Sequence, residues 1–319
     1  MNTAVKLSAY GVALALVAGG AWAIGTAVGP LENTASGAEG AGHGDTHSGT
    51  VAETAQVDLP AGLASSRGGY TLTPTSTTLT TGTTNTFSFR ITGPDSKSVT
   101  RFDVEHEKRM HLIVVRRDTA GFQHVHPEMS ADGTWTVPLT LAQPGSYRAF
   151  ADFAPTGGEA TTLGVDLAVP GDFQPASYSS SRVATVDGYE VTLDGDLVPG
   201  KTAEVTLTVS KNGQPVTNLQ PYLGAYGHLV ALRVGDLAYL HVHPDGEPGD
   251  GKTKPGPNVV FYAEVPSAGA YRLFLDFQHE GKVRTAEFTL ATDGYTPVQP
   301  TQPAPAEDEG HADDGHGHN

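Results

Sequence analysis

Cysteine is absent from this 319-residue chain, and its absence excludes several kinds of site. Without thiols the chain has no disulfide framework, no cysteine-ligated zinc finger or blue-copper centre, no thiolate catalysis and no cysteine for lipid attachment. Methionine is nearly as scarce, with three residues, which disfavours a methionine-rich Cu(I) site. Any metal must therefore be bound chiefly by carboxylates, water or some of the 13 histidines.

Basic residues are also few. The chain has 19 Lys and Arg residues against 35 Asp and Glu residues, which gives a formal net charge of −16. Nucleic-acid binding requires a basic surface that displaces counterions, so no nucleic-acid partner is expected. Anionic lipid headgroups are disfavoured for the same reason. The acidic excess suits solubility and the attraction of cations.

The N-terminus carries the one long apolar run of the sequence. Residues 7–28 are 22 uncharged residues, which as a helix would be about 33 Å long and could span a bilayer. Lys6 is the only flanking cation, so we expect a single-pass anchor (residues 1–28) in the cell membrane with the rest outside the cytoplasm. The alternative is a signal peptide cleaved at the Ala-Trp-Ala of residues 21–23, which would make the protein secreted.

Two segments of low complexity flank the remainder. Residues 29–67 are rich in small residues and predict a flexible stalk that contains His43 and His47. Residues 293–319 predict a disordered acidic tail. The histidines of the tail are His311, His316 and His318. The histidines of both segments are either auxiliary ligands that bind metal weakly or ordinary residues of solvated ends.

An internal repeat organises the middle of the chain. GSYRAFADF at residues 145–153 matches GAYRLFLDF at 269–277, and FQHVHP at 122–127 matches YLHVHP at 239–244. Each copy shows period-two alternation between frequent turn residues and no helical periodicity. We therefore predict an all-β protein of two tandem homologous modules, residues 68–172 and 187–292, each an immunoglobulin-like or cupredoxin-like β-sandwich, after one N-terminal transmembrane helix.

In the second copy, three histidines lie at hairpin spacing. If Gly235 and Asp236 are the centre of a two-residue turn, His228 faces His243, and His241 lies on the same side of the ladder. The three imidazoles would then converge within about 7 Å.

The first copy keeps that spacing. With Asp118 and Thr119 as the centre of the turn, His111 faces His126 and lies on the same face as His124.

Three imidazoles on one face, with a fourth position open, suit a divalent transition metal, Cu(II) or Zn(II). Asp152 and Asp276 interrupt the two matched aromatic strands and are candidate fourth ligands. Their alternative role is to orient a ligating imidazole by hydrogen bonding. The alternative for both His-Val-His-Pro segments is a sheet rim where a strand simply ends.

Other features of the two copies do not match each other. His106, Glu107 and His279 have no counterpart in the opposite copy and are interpreted as loop residues, with membership of a metal site as the alternative. Residues 245–258 add a turn-rich loop to the second copy, which is either a lid over its site or a tolerated insertion.

The segments PVTNLQPYLGAYGHLVAL, LAYLHVHP and AGAYRLFLDF resemble a module of uncharacterised exported or membrane-anchored bacterial proteins associated with copper or heavy-metal handling. The resemblance is strongest over residues 213–291. It implies a metal-related role in the cell envelope. The partners expected are metal ions and another envelope metal-handling protein.

The sequence thus predicts a non-catalytic, extracytoplasmic metal-binding protein for sequestration, delivery or sensing. One alternative is a metal-dependent envelope enzyme, with Glu247 or Glu280 as general base. Another is an adhesion or partner-binding protein that uses the tandem sandwiches as a spacer.

Overall fold

The computed structural model describes residues 60–295, which form strands and loops only. Within this range no helix is long and apolar enough to cross a membrane. The predicted anchor, His43, His47 and the three tail histidines lie outside the described residues.

The first module is a sandwich of two antiparallel sheets. One sheet has the strand order β1-β2-β3-β7-β6 and the other has β5-β4-β8-β9. The strands are β1 (Ser66–Arg67), β2 (Tyr70–Pro74), β3 (Thr84–Thr92), β4 (His111–Arg116), β5 (Gln123–Val125), β6 (Glu128–Met129), β7 (Thr134–Thr140), β8 (Gly145–Phe153) and β9 (Thr161–Val169).

The second module repeats this architecture. One sheet has the order β10-β11-β12-β16-β15, with β13 paired to β12, and the other has β14-β17-β18. The strands are β10 (Val183–Val186), β11 (Tyr189–Asp194), β12 (Lys201–Lys211), β13 (Gln214–Pro215), β14 (His228–Arg233), β15 (Val242–Pro244), β16 (Asn258–Val265), β17 (Ala270–His279) and β18 (Lys282–Ala291). The all-β fold with two tandem sandwich modules is therefore confirmed.

Alternation along the strands builds each module core. In β3, Phe87, Phe89 and Ile91 are buried while the residues between them are less so. Strand β12 buries every second residue in the same way. Burial of a large apolar side chain contributes about 1.5–3 kcal/mol, so these inward rows account for the sandwich packing.

Strand β4 departs from simple alternation because all six of its residues are buried. Leu112 and Val114 pack in the core of the first module, whereas Ile113 and Val115 belong to a separate apolar cluster. That third cluster joins the modules, because its other members include Phe150 from β8 and residues of the second module: Val230, Leu232, Leu237 and Phe274.

The interface between the modules is nearly symmetric. Phe122 of the first module stacks on Phe274 of the second, with ring centroids 4.1 Å apart. The repeat equivalents of these two residues, Tyr239 and Phe150, lie 5.6 Å apart. The sheets that carry the histidine hairpins therefore face each other, each hairpin against the long central strand of the other module.

The end of the predicted stalk is ordered, which corrects the boundary at residue 67. Gly62 donates its backbone NH to Thr162 O at 3.0 Å, and Arg148 donates to Gly62 O at 2.9 and 2.7 Å. Ala61 forms a β-bridge with Tyr239 of the second module. A Cβ at Gly164 would lie 2.1 Å from Gly62 O, so glycine is what permits this close approach.

Candidate metal centre

The three histidines of the first module converge. In the β4–β5 ladder Ile113 pairs with His124, and this is the register predicted from the turn. In the same register His111 and His126 lie two residues further from the turn, and their ring centroids are 5.0 Å apart. One nitrogen from each of His111, His124 and His126 lies within 4.8 Å of the other two.

Hydrogen bonds orient two of the rings. His111 Nε2 lies 3.1 Å from the backbone oxygen of Glu105, which can only accept, so this nitrogen carries the proton. His124 Nδ1 donates in the same way to Asp276 Oδ2 at 2.8 Å. The nitrogens left over, His111 Nδ1 and His124 Nε2, point at each other across 3.1 Å.

The gap between these two nitrogens could be bridged by a cation. Two unprotonated nitrogens so close together repel unless a proton or a metal ion lies between them. With metal–nitrogen bonds of about 2.0–2.1 Å, two ligands of a tetrahedral ion lie about 3.3 Å apart. The observed 3.1 Å is close to that separation.

His126 supplies a third nitrogen without a competing partner. Its Nε2 atom is buried and accepts or donates no hydrogen bond among the described residues. Burial, together with the neighbouring imidazoles, lowers the pKa of both His111 and His126 to about 3. Both rings are therefore neutral at pH 7, the form in which imidazole binds a metal.

Asp276 reaches this cluster from the other module. Its Oδ1 accepts a hydrogen bond from Thr285 and its Oδ2 accepts one from His124, 152 residues away in the chain. The side chain is nearly fully buried. A carboxylate that holds a ligating histidine in one tautomer is a recurrent feature of metal sites, so the geometry matches the orienting role rather than that of a fourth ligand.

Asp152, the repeat equivalent of Asp276, forms no hydrogen bond with a histidine of the described part of the chain. It pairs with His111 across the β4–β8 ladder and accepts a hydrogen bond from Thr162 at 2.8 Å. Burial raises the pKa of its carboxyl group, and the nearby charge of Glu105 raises it further.

In the second module the predicted convergence is wrong. The β14 hairpin begins in the predicted register, since Leu232 bridges Tyr239, but the chain then crosses to the other sheet. There β15 pairs with β16, which places His243 opposite Tyr262 instead of His228. The backbone of these residues takes its hydrogen bonds from β16, so the side chains follow that sheet.

His241 and His243 consequently form a separate, exposed pair, with ring centroids 4.0 Å apart. His228 remains on the inter-module face, where its ring lies 6.4 Å from that of His124. The described residues thus contain one cluster of three close ligands, built by the first module and completed by Asp276 of the second.

A cavity of about 900 Å³ opens beside the cluster between the modules. Its lining includes five of the histidines discussed here and the half-buried Tyr239. Desolvation raises the pKa of the Tyr239 hydroxyl, and the charges of Asp152 and Asp276 raise it further. The lining also includes His106, which sequence reasoning placed in an ordinary loop. The signal that could have identified His106 was its position five residues before His111, in a segment where the repeat diverges.

Two other predicted residues lie away from the cavity. Glu280 binds Lys211 at the surface, and Glu247 lies in the exposed loop around Asp250. His279 is buried in the second module, where it bonds Tyr189 and Asn218. The inserted loop 245–258 contributes no cavity residue among those described, so it is not a lid in this arrangement.

Comparison with known proteins adds a family but no activity. The family described as domain of unknown function DUF8832 matches residues 64–171 and again residues 184–294. No curated protein matches the chain.

Among solved structures, similarity extends to Salmonella alpha-2-macroglobulin (14% identity, 73% of this chain and 15% of that chain, TM-score 0.26). It also extends to the Escherichia coli adhesin FdeC (16%, 72% and 65%, 0.24) and to the Ig1-2 module of the Drosophila receptor phosphatase DLAR (10%, 70% and 98%, 0.19). The chain spans a small part of alpha-2-macroglobulin and just under two thirds of FdeC. These scores are too low to support an argument about function.

Proposed function

Since the chain belongs to the family described as domain of unknown function DUF8832, which names no activity, we propose its function from the histidine cluster: it binds a divalent transition metal, Cu(II) or Zn(II), for sequestration, delivery or sensing. The observation that carries the proposal is the pair His111 Nδ1 and His124 Nε2. These two nitrogens face each other without protons, because the proton of each ring is on its other nitrogen, which donates to Glu105 O in His111 and to Asp276 Oδ2 in His124.

The donor set supports the choice of metal. Three neutral imidazoles suit Zn(II) and Cu(II), whereas Mg(II) and Ca(II) prefer oxygen ligands. His126 Nε2 has no hydrogen-bond partner among residues 60–295, so binding an ion there breaks no hydrogen bond within that range. The fourth position would be filled by water or by a group that enters from the cavity.

We place this function outside the cytoplasm, at the cell membrane. The support is the apolar run of residues 7–28 and the lack of cysteine, together with the resemblance to exported metal-handling modules. Another envelope protein that donates or accepts the metal is the corresponding partner.

A titration of the purified protein with Zn(II), read against a chromophoric chelator, tests the proposal. His124→Ala should lose the tight equivalent, whereas His241→Ala, the same position of the other copy, should retain it. Both variants keep the stalk and tail histidines, so any metal binding by those residues contributes equally to the two titrations. Equal affinities of wild type and His124→Ala would contradict the proposal.

The cavity favours one second candidate, a metal-dependent enzyme, because it leaves room for a substrate at the open coordination position. Neither Glu247 nor Glu280 could act as its base, since neither lines the cavity; Glu105, Glu264 and Asp152 do. Turnover of hydrolysable esters or phosphoesters by the zinc-loaded protein, abolished in His124→Ala, would favour this candidate.

A further inference from the structure

Two histidines from different modules meet beside the cluster without belonging to it. The rings of His106 and His228 have centroids 5.2 Å apart and are nearly perpendicular. His228 Nε2 donates to the backbone oxygens of Tyr222 and Leu223 at 2.8 and 3.1 Å. Its Nδ1 therefore keeps its lone pair, in the same way as Nδ1 of the equivalent residue His111.

The fold does not require a histidine at position 106. Residues 105–108 form a tight two-residue turn in which His106 has φ 46° and Glu107 has φ 63°. The second module has the same turn with Leu223 at φ 55° in the equivalent place. This left-handed conformation is uncommon for residues other than glycine, and leucine satisfies the turn as well as histidine does. The conformation of the turn therefore does not require an imidazole at position 106.

These two rings also connect solvent to the buried cluster. His106 is exposed and lines the cavity, whereas His111 is only 8% exposed. The His106 ring lies 6.1 Å from that of His111, and the His228 ring lies 6.4 Å from that of His124. Each member of the pair therefore neighbours one member of the cluster.

We propose that His106 and His228 form a second transition-metal position, through which an ion passes from solvent to the His111–His124–His126 cluster. This inference rests on the proposed function. Two imidazoles and solvent hold an ion more weakly than three imidazoles do, so the outer position exchanges its ion readily. Because one ligand comes from each module, the outer position exists only while the modules are docked.

His106→Leu is the sharpest test, because it installs the residue that the other module carries in the same turn. Glu107→Ala, the next residue of that turn, is the control. Zn(II) binding by the full chain would be measured by calorimetry at equilibrium and by stopped-flow competition with a fluorescent chelator. Thermal unfolding without metal would verify that both variants fold.

We expect wild type and Glu107→Ala to bind one weaker equivalent that His106→Leu lacks or binds about tenfold less well. Loading of the tight equivalent should slow in His106→Leu while its final affinity stays the same. A single equivalent in wild type, or loading of His106→Leu at the wild-type rate, would overturn the inference. If wild type binds no tight equivalent, or His124→Ala binds as wild type does, it is the proposed function that fails.

Discussion

Replacing Asp276 by Asn tests whether the second module controls the metal site of the first. Asp276 is 3% exposed, and its Oδ2 accepts a hydrogen bond from His124 Nδ1 at 2.8 Å. Asparagine keeps the shape of the side chain but removes its charge and allows an NH₂ group to face the ring, which would favour the wrong tautomer. Loss of such an orienting group typically costs about 10–100-fold in metal affinity, or about 1.4–2.7 kcal/mol.

Asp152→Asn is the matched control. Asp152 occupies the same position of the other copy and accepts a hydrogen bond from Thr162, as Asp276 does from Thr285. It holds no ring nitrogen of the cluster, so we expect its substitution to change the affinity for Zn(II) far less. Competition titrations at pH 7 measure both variants. If Asp152→Asn loses more affinity than Asp276→Asn, then Asp152 is a ligand and the orienting role assigned to Asp276 is wrong.

Three further outcomes are expected. Zn(II) at a hundredfold excess over its Kd should stabilise the fold by about 2.7 kcal/mol, seen as a thermal shift that a chelator reverses and His124→Ala lacks. The metal-free protein should lose stability as pH falls from about 6.5, where the unfolded histidines protonate, towards 3, where folded His111 and His126 protonate. The loss should be about 1.4 kcal/mol per pH unit for each histidine in urea titrations, and constant stability between pH 6.5 and 4 would contradict it. Phe274→Ala, which removes the ring stacked on Phe122, should cost about 3–5 kcal/mol in unfolding free energy and also weaken Zn(II) binding, whereas unchanged binding would mean that inter-module packing does not position Asp276.

Local rules of strand geometry were sufficient for the first copy. The side-chain period of two and the position of a turn predict which residues of a hairpin share a face, and His111, His124 and His126 follow that prediction. The same rules predicted the two β-sandwiches, because alternation and turn spacing can be recognised within short segments of sequence.

The same rules were not sufficient for the second copy. Tyr239 keeps the predicted register, but beyond Leu240 the chain leaves β14 and pairs with β16. The choice between two sheets depends on hydrogen bonds to residues about twenty positions further along, which spacing within the hairpin does not encode. His243 therefore faces Tyr262 although its local sequence matches that of His126.

Contacts between the modules were beyond sequence reasoning for a similar reason. The bond from His124 to Asp276 joins residues 152 positions apart, and it depends on how two separately predictable sandwiches dock. The uninterrupted apolar run Leu112–Val115 in strand β4 was the available signal. A strand buried on both faces must pack against something besides its own module core, and here that is Val230, Leu232 and Phe274.

If the cluster binds a metal ion as proposed, that docking links metal binding and module packing thermodynamically. An ion at the cluster gains from the orientation that Asp276 imposes on His124, and this orientation exists only while the two sheets are in contact. By reciprocity, an ion that binds the docked arrangement more tightly must strengthen the docking by the same factor. A site built wholly within one sandwich would have no such consequence. The near-symmetric interface therefore has a functional reading under the proposed function: the histidine cluster of the first module, oriented by Asp276 of the second, would convert metal binding into a change in how firmly the copies are held together.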